Sequence, residues 1–184
     1  MLITADSDAQ SIPAEIRELV LSAQGGDMTA FGDLYSRYVR FVHGVLLARI
    51  PPAEAEDLVQ DVFVLALRRL KDLRDPAAFG GWISSIARNC AADFHRRGTK
   101  PMELIEELSA DAPKQISGLE AKAVLKTIQG LPEAYRETLV LRLVEGMTGP
   151  EIAARTGLSH GSVRVNLHRG MELLREALQK RLSR

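Results

Sequence analysis

The chain lacks the features that mark several large classes of protein. Its single cysteine, Cys90, cannot form a disulfide within the chain, which is typical of a protein in a reducing compartment. No apolar run approaches the roughly 20 residues that span a bilayer. The segment MLITADSDAQ at the start of the sequence has two acidic residues and no basic one, so we expect no signal peptide. These absences favour a soluble cytoplasmic protein.

The residues that usually carry out catalysis or bind metals are also scarce. The four histidines, His43, His95, His160 and His168, have no second cysteine and no HxxxH pair with which to hold zinc. None of them pairs with a nucleophile motif, and no glycine-rich loop could cradle a phosphate. We therefore predict no catalytic residue, no metal site, no cofactor and no enzymatic activity.

The charge of the chain is zero overall but is unevenly distributed. There are 24 basic and 24 acidic side chains in 184 residues. Residues 101–117 carry a net charge of −3, whereas residues 118–184 carry a net charge of +4. An acidic stretch therefore precedes a basic C-terminal region, a pattern that indicates either a nucleic-acid partner or a solvated surface.

Apolar residues recur at helical intervals nearly everywhere, and no segment alternates as a β-strand does. In 28–50, Phe31, Leu34 and Tyr38 share one face, Asp27 stands at an N-cap position and Pro51 ends the helix. The pattern predicts helices over 13–24, 28–50, 53–72, 81–97, 118–129, 132–145, 148–155 and 160–182. The predicted fold class is all-α, with two small helical domains. We expect a four-helix domain over 13–98, a flexible acidic linker over 99–117 and a four-helix domain over 118–184.

The second domain has the pattern of a helix-turn-helix in GPEIAARTGLSHGSVRVNLHR, 149–169. Ala153 is small enough for close helix packing, Gly157 can adopt positive φ in the turn, and Val163 anchors the second helix. Capping boxes stand at Ser117-x-x-Glu120 and Thr148-x-x-Glu151. The basic second helix would enter a major groove with its N-terminal half. The alternative interpretation is a helical hairpin that serves only for packing.

Two further segments of the first domain have unusual surfaces. The helix over 55–70 presents a polar face with Val64 exposed among its charges, which indicates a docking site or a solvated face. The segment FGGW, 79–82, precedes several basic residues, and aromatic and basic side chains together can hold single-stranded bases. Alternatively, Phe79 and Trp82 are core anchors.

Taken together, these segments resemble the bacterial sigma factors of the extracytoplasmic-function (ECF) group, over about residues 14–182. The resemblance to sigma region two lies in ELVLSAQGGDMTAFGDLYSRYVR, AEDLVQDVFVLAL and FGGWISSIARNCAADFHRR. The resemblance to region four lies in LPEAYRETLVLRLVEGMTGPEIAARTGLSHGSVRVNLHRGMELLREAL. It implies an alternative sigma factor that binds core RNA polymerase, recognises the −10 and −35 promoter elements and initiates transcription. An anti-sigma factor is a further partner that the family implies.

The resemblance also implies roles for individual residues. Core polymerase would be bound by Asp57, Gln60, Asp61, Val64 and Arg68. The unpaired −10 strand would be bound by Phe79, Trp82, Arg88, Asn89, Arg96 and Arg97. The −35 duplex would be bound by His160, Ser162, Arg164, Val165, His168 and Arg169.

The sequence departs from the family pattern at three places. Gly80 stands where a basic residue is frequent, Val165-Asn166 replaces a frequent Ser-Arg pair, and Gly170 replaces a frequent alanine. The glycine at 170 is expected to cost about 1 kcal/mol of helix stability. The rival hypotheses are a helix-turn-helix regulator that binds duplex DNA without polymerase and a helical adaptor that binds no DNA.

Overall fold

The computed structural model of the protein describes residues 7–97 and 118–182. Within these two ranges the chain is helical and forms no strand, which confirms the all-α prediction. The helices of the described ranges are α1 (Ser7–Gln24), α2 (Met28–Leu47), α3 (Pro52–Arg69), α4 (Phe79–Arg97), α5 (Gly118–Gln129), α6 (Glu133–Leu143), α7 (Gly149–Thr156) and α8 (His160–Leu182). The predicted linker, 99–117, and the side chains of the capping box at Ser117 and Glu120 lie outside the described part.

Helices α1 to α4 form the N-terminal unit, with α2 at its centre. The apolar stripe of α2 is fully buried at Leu34, Phe41 and Leu46, where α1, α3 and α4 pack around it. Phe79 at the start of α4 meets the Tyr38 ring edge-on, with ring centroids 4.9 Å apart. A second group of rings joins Phe63 to Phe31 and Tyr35. The remaining core of this unit consists of aliphatic side chains.

The start of α2 is fixed by the residue that the sequence predicts. The Asp27 carboxylate accepts hydrogen bonds from the backbone N–H groups of Thr29 and Ala30, at 2.8 and 3.2 Å. These bonds lower the pKa of Asp27 below its ordinary value because they favour the ionised form. An N-cap of this kind stabilises the first turn of the helix, whose backbone N–H groups have no partner within the helix.

Several helix boundaries differ from the predicted ones. Helix α2 ends at Leu47 rather than 50, and α6 runs over Glu133–Leu143 rather than 132–145. Helix α1 begins at Ser7 rather than 13. Helix α3 ends at Arg69, because Leu70–Asp72 tighten into a 3-10 turn in which the N–H of Leu73 donates to the Leu70 carbonyl. Helix α4 begins at Phe79 rather than 81, since a second 3-10 turn leads directly into it.

Helices α5 to α8 form the C-terminal unit, in which α6 is the buried element. Residues Glu137 to Leu141 of α6 are buried without interruption. One side of α6 packs on α8, where Gly170 lies so close that an added Cβ would stand 3.0 Å from Leu139 Cδ1. The opposite side packs on α2 of the N-terminal unit. A helix that is covered on both sides has no solvent-exposed face along these residues, and its burial is therefore continuous.

Helices α7 and α8 form the predicted helix-turn-helix. The Thr148 side chain accepts from the N–H of Glu151, and the Glu151 carboxylate accepts from the N–H of Thr148, which completes the capping box. Gly157 ends α7 with φ of 75°, a left-handed conformation that glycine adopts without steric cost. The N–H of Ser162 donates to Ser159 Oγ at 3.1 Å and caps α8.

The two units are in contact. Helix α6 lies against α2, and α7 lies against α4. The buried apolar residues of both units form one continuous cluster. The contact positions the charged side chains that are described next.

Candidate nucleic-acid interface

The N-terminal half of α8 presents an exposed polar and basic face. All six residues predicted to bind the −35 duplex are exposed: His160, Ser162, Arg164, Val165, His168 and Arg169. Val163, between them, is buried and anchors the helix, as predicted. The face is therefore free to enter a major groove, which is wide enough to admit an α-helix.

The outer face of α3 is exposed at every predicted polymerase-binding position: Asp57, Gln60, Asp61, Val64 and Arg68. Val64 is 49% exposed among these charged side chains, and Leu67 on the same helix is 38% exposed. Between α3 and α4 runs a groove lined by Asp61, Val64, Arg68 and Cys90, among others. Burial and the nearby Asp61 carboxylate raise the pKa of the Cys90 thiol. An apolar residue within a charged rim is the usual composition of a protein-binding surface.

The residues predicted to bind the −10 strand are not equally accessible. Phe79 is fully buried against Tyr38, so in this arrangement it is a core anchor. Trp82 is half-buried, with its ring centroid 5.8 Å from that of Phe79. Asn89, Arg96 and Arg97 are exposed on α4. Arg96 forms an ion pair with Asp93 in the same helix.

Arg88, the remaining predicted −10 residue, is paired with the other unit of the protein. Its Nε and Nη2 donate to the two carboxylate oxygens of Glu137 on α6, at 3.1 and 2.8 Å. Arg49 Nη2 lies 2.9 Å from the same carboxylate. The hydrogen bonds that Arg88 donates to Glu137 raise the pKa of Arg88 above its ordinary value, so the guanidinium remains charged.

A second carboxylate of the C-terminal unit is paired in the same way. Glu145 lies 2.7 Å from His43 Nδ1 and 3.4 Å from Arg40 Nε. Arg40 Nη2 also donates to the backbone carbonyl of Glu145 at 2.7 Å. The hydrogen bond to Glu145 raises the pKa of His43 above 6.5, although burial acts in the opposite direction.

The role of five of these residues was not predicted from the sequence: Arg40, His43, Arg49, Glu137 and Glu145. The two members of each ion pair are 49 to 105 residues apart in sequence. Charged residues on a helix are also expected to face solvent. One signal was available, since Gly44 interrupts an apolar helix and so indicates a close approach by another element.

The described residues contain no group of three or more His, Cys, Asp or Glu side chains that could hold a metal ion. No helix in the described part is both long enough and apolar enough to cross a bilayer.

Comparisons with known proteins match both halves of the chain. The family model of Sigma-70 region 2 matches residues 34–100, and that of Sigma-70 region 4 matches residues 121–174. The chain is 32% identical over 187 residues to the ECF RNA polymerase sigma factor BldN of Streptomyces coelicolor, covering 95% of this chain and 68% of the relative. It is 31% identical over 182 residues to the ECF RNA polymerase sigma-E factor of Escherichia coli K12, covering 90% of this chain and 95% of the relative.

The fold resembles the solved structure of CnrH in complex with the cytosolic domain of CnrY. The sequence identity is 29% and the TM-score is 0.63, covering 90% of this chain and 98% of that chain.

Proposed function

The chain belongs to the ECF group of RNA polymerase sigma factors, and from this membership we propose how its two units divide the work of promoter recognition. It is an alternative sigma factor, which binds core RNA polymerase, recognises promoter DNA and initiates transcription. Sigma factors are initiation factors and not enzymes, so this chain contributes no catalytic residue to RNA synthesis. Its place of action is the cytoplasm, where the polymerase works.

We assign the N-terminal domain, 13–98, to core polymerase binding and to the −10 element. The exposed face of α3 supports the first role, because Val64 offers apolar contact within the charges of Asp61 and Arg68. Asn89 supports the second role, since its side chain is exposed and offers both a donor and an acceptor to the edge of an unpaired base. The guanidinium of the adjacent Arg88 can donate two hydrogen bonds to a phosphate of the same strand.

We assign the C-terminal domain, 118–184, to the −35 element, and residues 99–117 to an acidic linker between the two domains. The exposed basic face of α8 supports this role, because Arg164 stands where a helix-turn-helix reads base edges. The observation that carries the proposal is the presence, in one chain and in the family order, of an exposed charged face on α3 that includes Val64 and of a separate exposed basic helix, α8.

We also propose that an anti-sigma factor regulates the chain. The support is that the solved relative CnrH is in complex with the cytosolic domain of CnrY. A dedicated partner of this class would compete with core polymerase for the exposed surfaces described above.

Transcription from a promoter library by the reconstituted holoenzyme tests the assignment of the two DNA surfaces. We expect Asn89→Ala to change the preference at one −10 base and Arg164→Ala to change the −35 preference. Each lost base-edge contact should cost about 1–3 kcal/mol at one position. A template with a pre-melted −10 region separates base reading from strand opening. Arg175→Ala, at an exposed position further along α8, is the matched control for Arg164→Ala.

Two outcomes would contradict these assignments. If Asn89→Ala lowers transcription from every promoter equally, the side chain only supports α4. If the chain does not co-migrate with core polymerase and binds duplex DNA alone, it acts as a stand-alone regulator.

A further inference from the structure

Gln24, the last residue of α1, joins that helix to the segment that precedes α4. We call this segment, residues 70–78, the α3–α4 loop. Gln24 Nε2 donates hydrogen bonds to the backbone carbonyls of Leu70 and Leu73, at 2.9 and 2.8 Å. The side chain is half-buried, and the two carbonyls lie 46 and 49 residues further along the chain. One amide group therefore holds two backbone groups of this loop.

The end of α1 is itself fixed, so Gln24 is a firm anchor. Ser22 Oγ donates to Asp27 Oδ2 at 3.0 Å, and the N–H of Asp27 donates to the Ser22 carbonyl at 3.2 Å. The same Asp27 carboxylate caps α2. Val20 and Ala23 are buried where α1 packs on the rest of the unit. The position of the Gln24 side chain thus follows from the core of the N-terminal unit.

The α3–α4 loop is fixed at both ends and exposed in the middle. Leu70 and Leu73 are buried, and so is Phe79, which follows the loop. Between them, Asp75 Oδ1 accepts from the N–H of Ala77 at 3.0 Å. The exposed positions are 74, 75, 77 and 78. Because only residues 74–78 separate the two buried ends, a displacement of Leu73 is passed on to the exposed part of the loop.

Gln24 acts at the point where the chain leaves the first 3-10 turn. The Leu70 carbonyl also accepts from the N–H of Leu73, at 3.2 Å, which closes that turn. Leu73 has an extended backbone, with ψ of 105°, and its carbonyl accepts from Gln24. A backbone carbonyl removed from water needs a hydrogen-bond partner. Gln24 therefore helps to set the direction in which the loop continues.

The exposed part of the loop continues directly into the proposed −10 surface. A 3-10 turn at Pro76–Ala78 leads into the first turn of α4, which carries the half-buried Trp82. Asn89 is exposed further along the same helix. Arg74 adds an exposed cationic side chain within the loop. A single strand that binds along α4 to aromatic and basic groups lies next to this loop.

We propose that Gln24 is a positioning residue for −10 recognition, because its hydrogen bonds to the Leu70 and Leu73 carbonyls fix the α3–α4 loop at the edge of the −10 surface. The inference rests on the proposed function and adds to it a residue that contacts no DNA. A loop that is ordered before binding loses less conformational entropy when the strand arrives. A loop that is free to move accommodates different bases equally well. Gln24 therefore affects discrimination between bases more than it affects stability.

A second glutamine with the same hydrogen-bond pattern provides a matched control. Gln129 Nε2 donates to the carbonyls of Leu47 and Ile50, at 2.8 and 3.0 Å. As with Gln24, the two carbonyls are three residues apart and lie where a helix ends. Gln129 ties α5 to the end of α2 and not α1 to the α3–α4 loop. Its replacement removes the same number of hydrogen bonds from a different place.

The first test is transcription by the holoenzyme from promoters that differ at single −10 bases. Gln24→Met keeps the length of the side chain and removes its donors. We expect the ratio of transcription between the best and the worst −10 base to fall by about fivefold, because base contacts of ordinary strength lose their geometry. The same fall should appear on a pre-melted −10 template, since base reading is affected and not strand opening. Gln129→Met should leave the ratio unchanged.

The second test uses a conservative variant that can be titrated. In Gln24→Glu, an ionised carboxylate would face two carbonyl oxygens and repel them, whereas the protonated acid can donate one hydrogen bond. The carbonyls favour the neutral form and raise the pKa of the introduced acid. We therefore expect discrimination between −10 bases to be poor at about pH 8 and to recover at about pH 6.5. Gln24→Met should show the same low ratio at both pH values.

Hydrogen exchange in the free chain tests whether Gln24 orders the loop. In Gln24→Met, the backbone N–H groups of the α3–α4 loop should exchange faster than in the wild type, because local opening becomes easier. Those of α7, in the other unit, should exchange as in the wild type. In Gln129→Met, exchange in the α3–α4 loop should be unchanged.

Three results would overturn the inference. Gln24→Met lowers transcription from every promoter by the same factor, or Gln129→Met narrows the −10 ratio as much, or exchange in the α3–α4 loop is unchanged in Gln24→Met. In the first two cases Gln24 serves only stability, and in the third it does not hold the loop. Failure of the wild-type holoenzyme to initiate would instead refute the proposed function. The two failures are therefore distinguishable.

Discussion

Substitution of Gly170 by alanine has two opposing effects on the stability of the fold, one from helix propensity and one from side-chain packing. In an isolated helix, Gly170→Ala should stabilise α8 by about 1 kcal/mol because alanine is the better helix former. In the folded chain, the added Cβ would lie 3.0 Å from Leu139 Cδ1, 3.1 Å from Leu139 Cγ and 3.2 Å from Tyr135 Cβ. Leu139 is fully buried, and Tyr135 Cβ is fixed to the backbone of α6, so neither can move aside. Overpacking of this kind costs about 1–3 kcal/mol.

We therefore expect Gly170→Ala to lower the free energy of unfolding by about 1 kcal/mol, contrary to what helix propensity alone predicts. For a unit of this size the loss corresponds to a fall in Tm of roughly 4–8 °C, measured by far-UV circular dichroism. Gly161→Ala, near the start of the same helix, is the control, since the nearest atom to its added Cβ is Ser159 Oγ at 3.9 Å. It should raise Tm slightly. A rise in Tm with Gly170→Ala would refute the close packing of α6 on α8.

Three further predictions concern docking, the turn and pH. Asp61→Lys should weaken core polymerase binding in a pull-down titration. It should leave Tm within about 1 °C, because an exposed charge adds little stability. Unchanged affinity would contradict the docking role of α3. Gly157→Ala should cost about 1–2 kcal/mol of stability and weaken −35 binding, because alanine is strained at φ of 75°. Gly157→Asn should cost less, and equal losses would exclude backbone strain as the cause. His43 faces Glu145, Arg40 and Glu56, and its hydrogen bond to Glu145 raises its pKa, so the contact between the two units is most stable below pH 6.5. This stabilisation is lost as the pH rises through the raised pKa, and the radius of gyration should then increase. His43→Gln should abolish that pH dependence.

The parts of the fold that depend on neighbours in sequence were predictable. Asp27 and Thr148 cap their helices, and Gly157 turns the chain, because each acts on backbone groups within three or four residues. The same holds for the exposed faces of α3 and α8, since a helical period of 3.6 places Asp61 and Arg164 opposite the buried residues. Local rules were sufficient for these elements.

The contact between the two units could not be predicted in this way. Glu137 and Glu145 are buried because their cationic partners lie on helices of the other unit, and no periodicity encodes such a pairing. For the same reason Arg88 was predicted only as a DNA-binding residue, although it also binds Glu137. Gly44 and Gly80 lie in this contact, whereas Gly32 and Gly81 on the same helices do not, since an added Cβ there meets nothing within 4 Å.

The distance in sequence between the paired residues has a consequence for the order of synthesis. Arg88 and Glu137 are 49 residues apart, and Arg40 and Glu145 are 105 residues apart. A ribosome adds about 5–20 residues per second, so roughly 5–20 s pass between the synthesis of Arg40 and that of its partner. During this time Arg40 of the nascent chain has no Glu145 with which to pair. The growing chain therefore passes through a stage at which the contact between the two units cannot yet form.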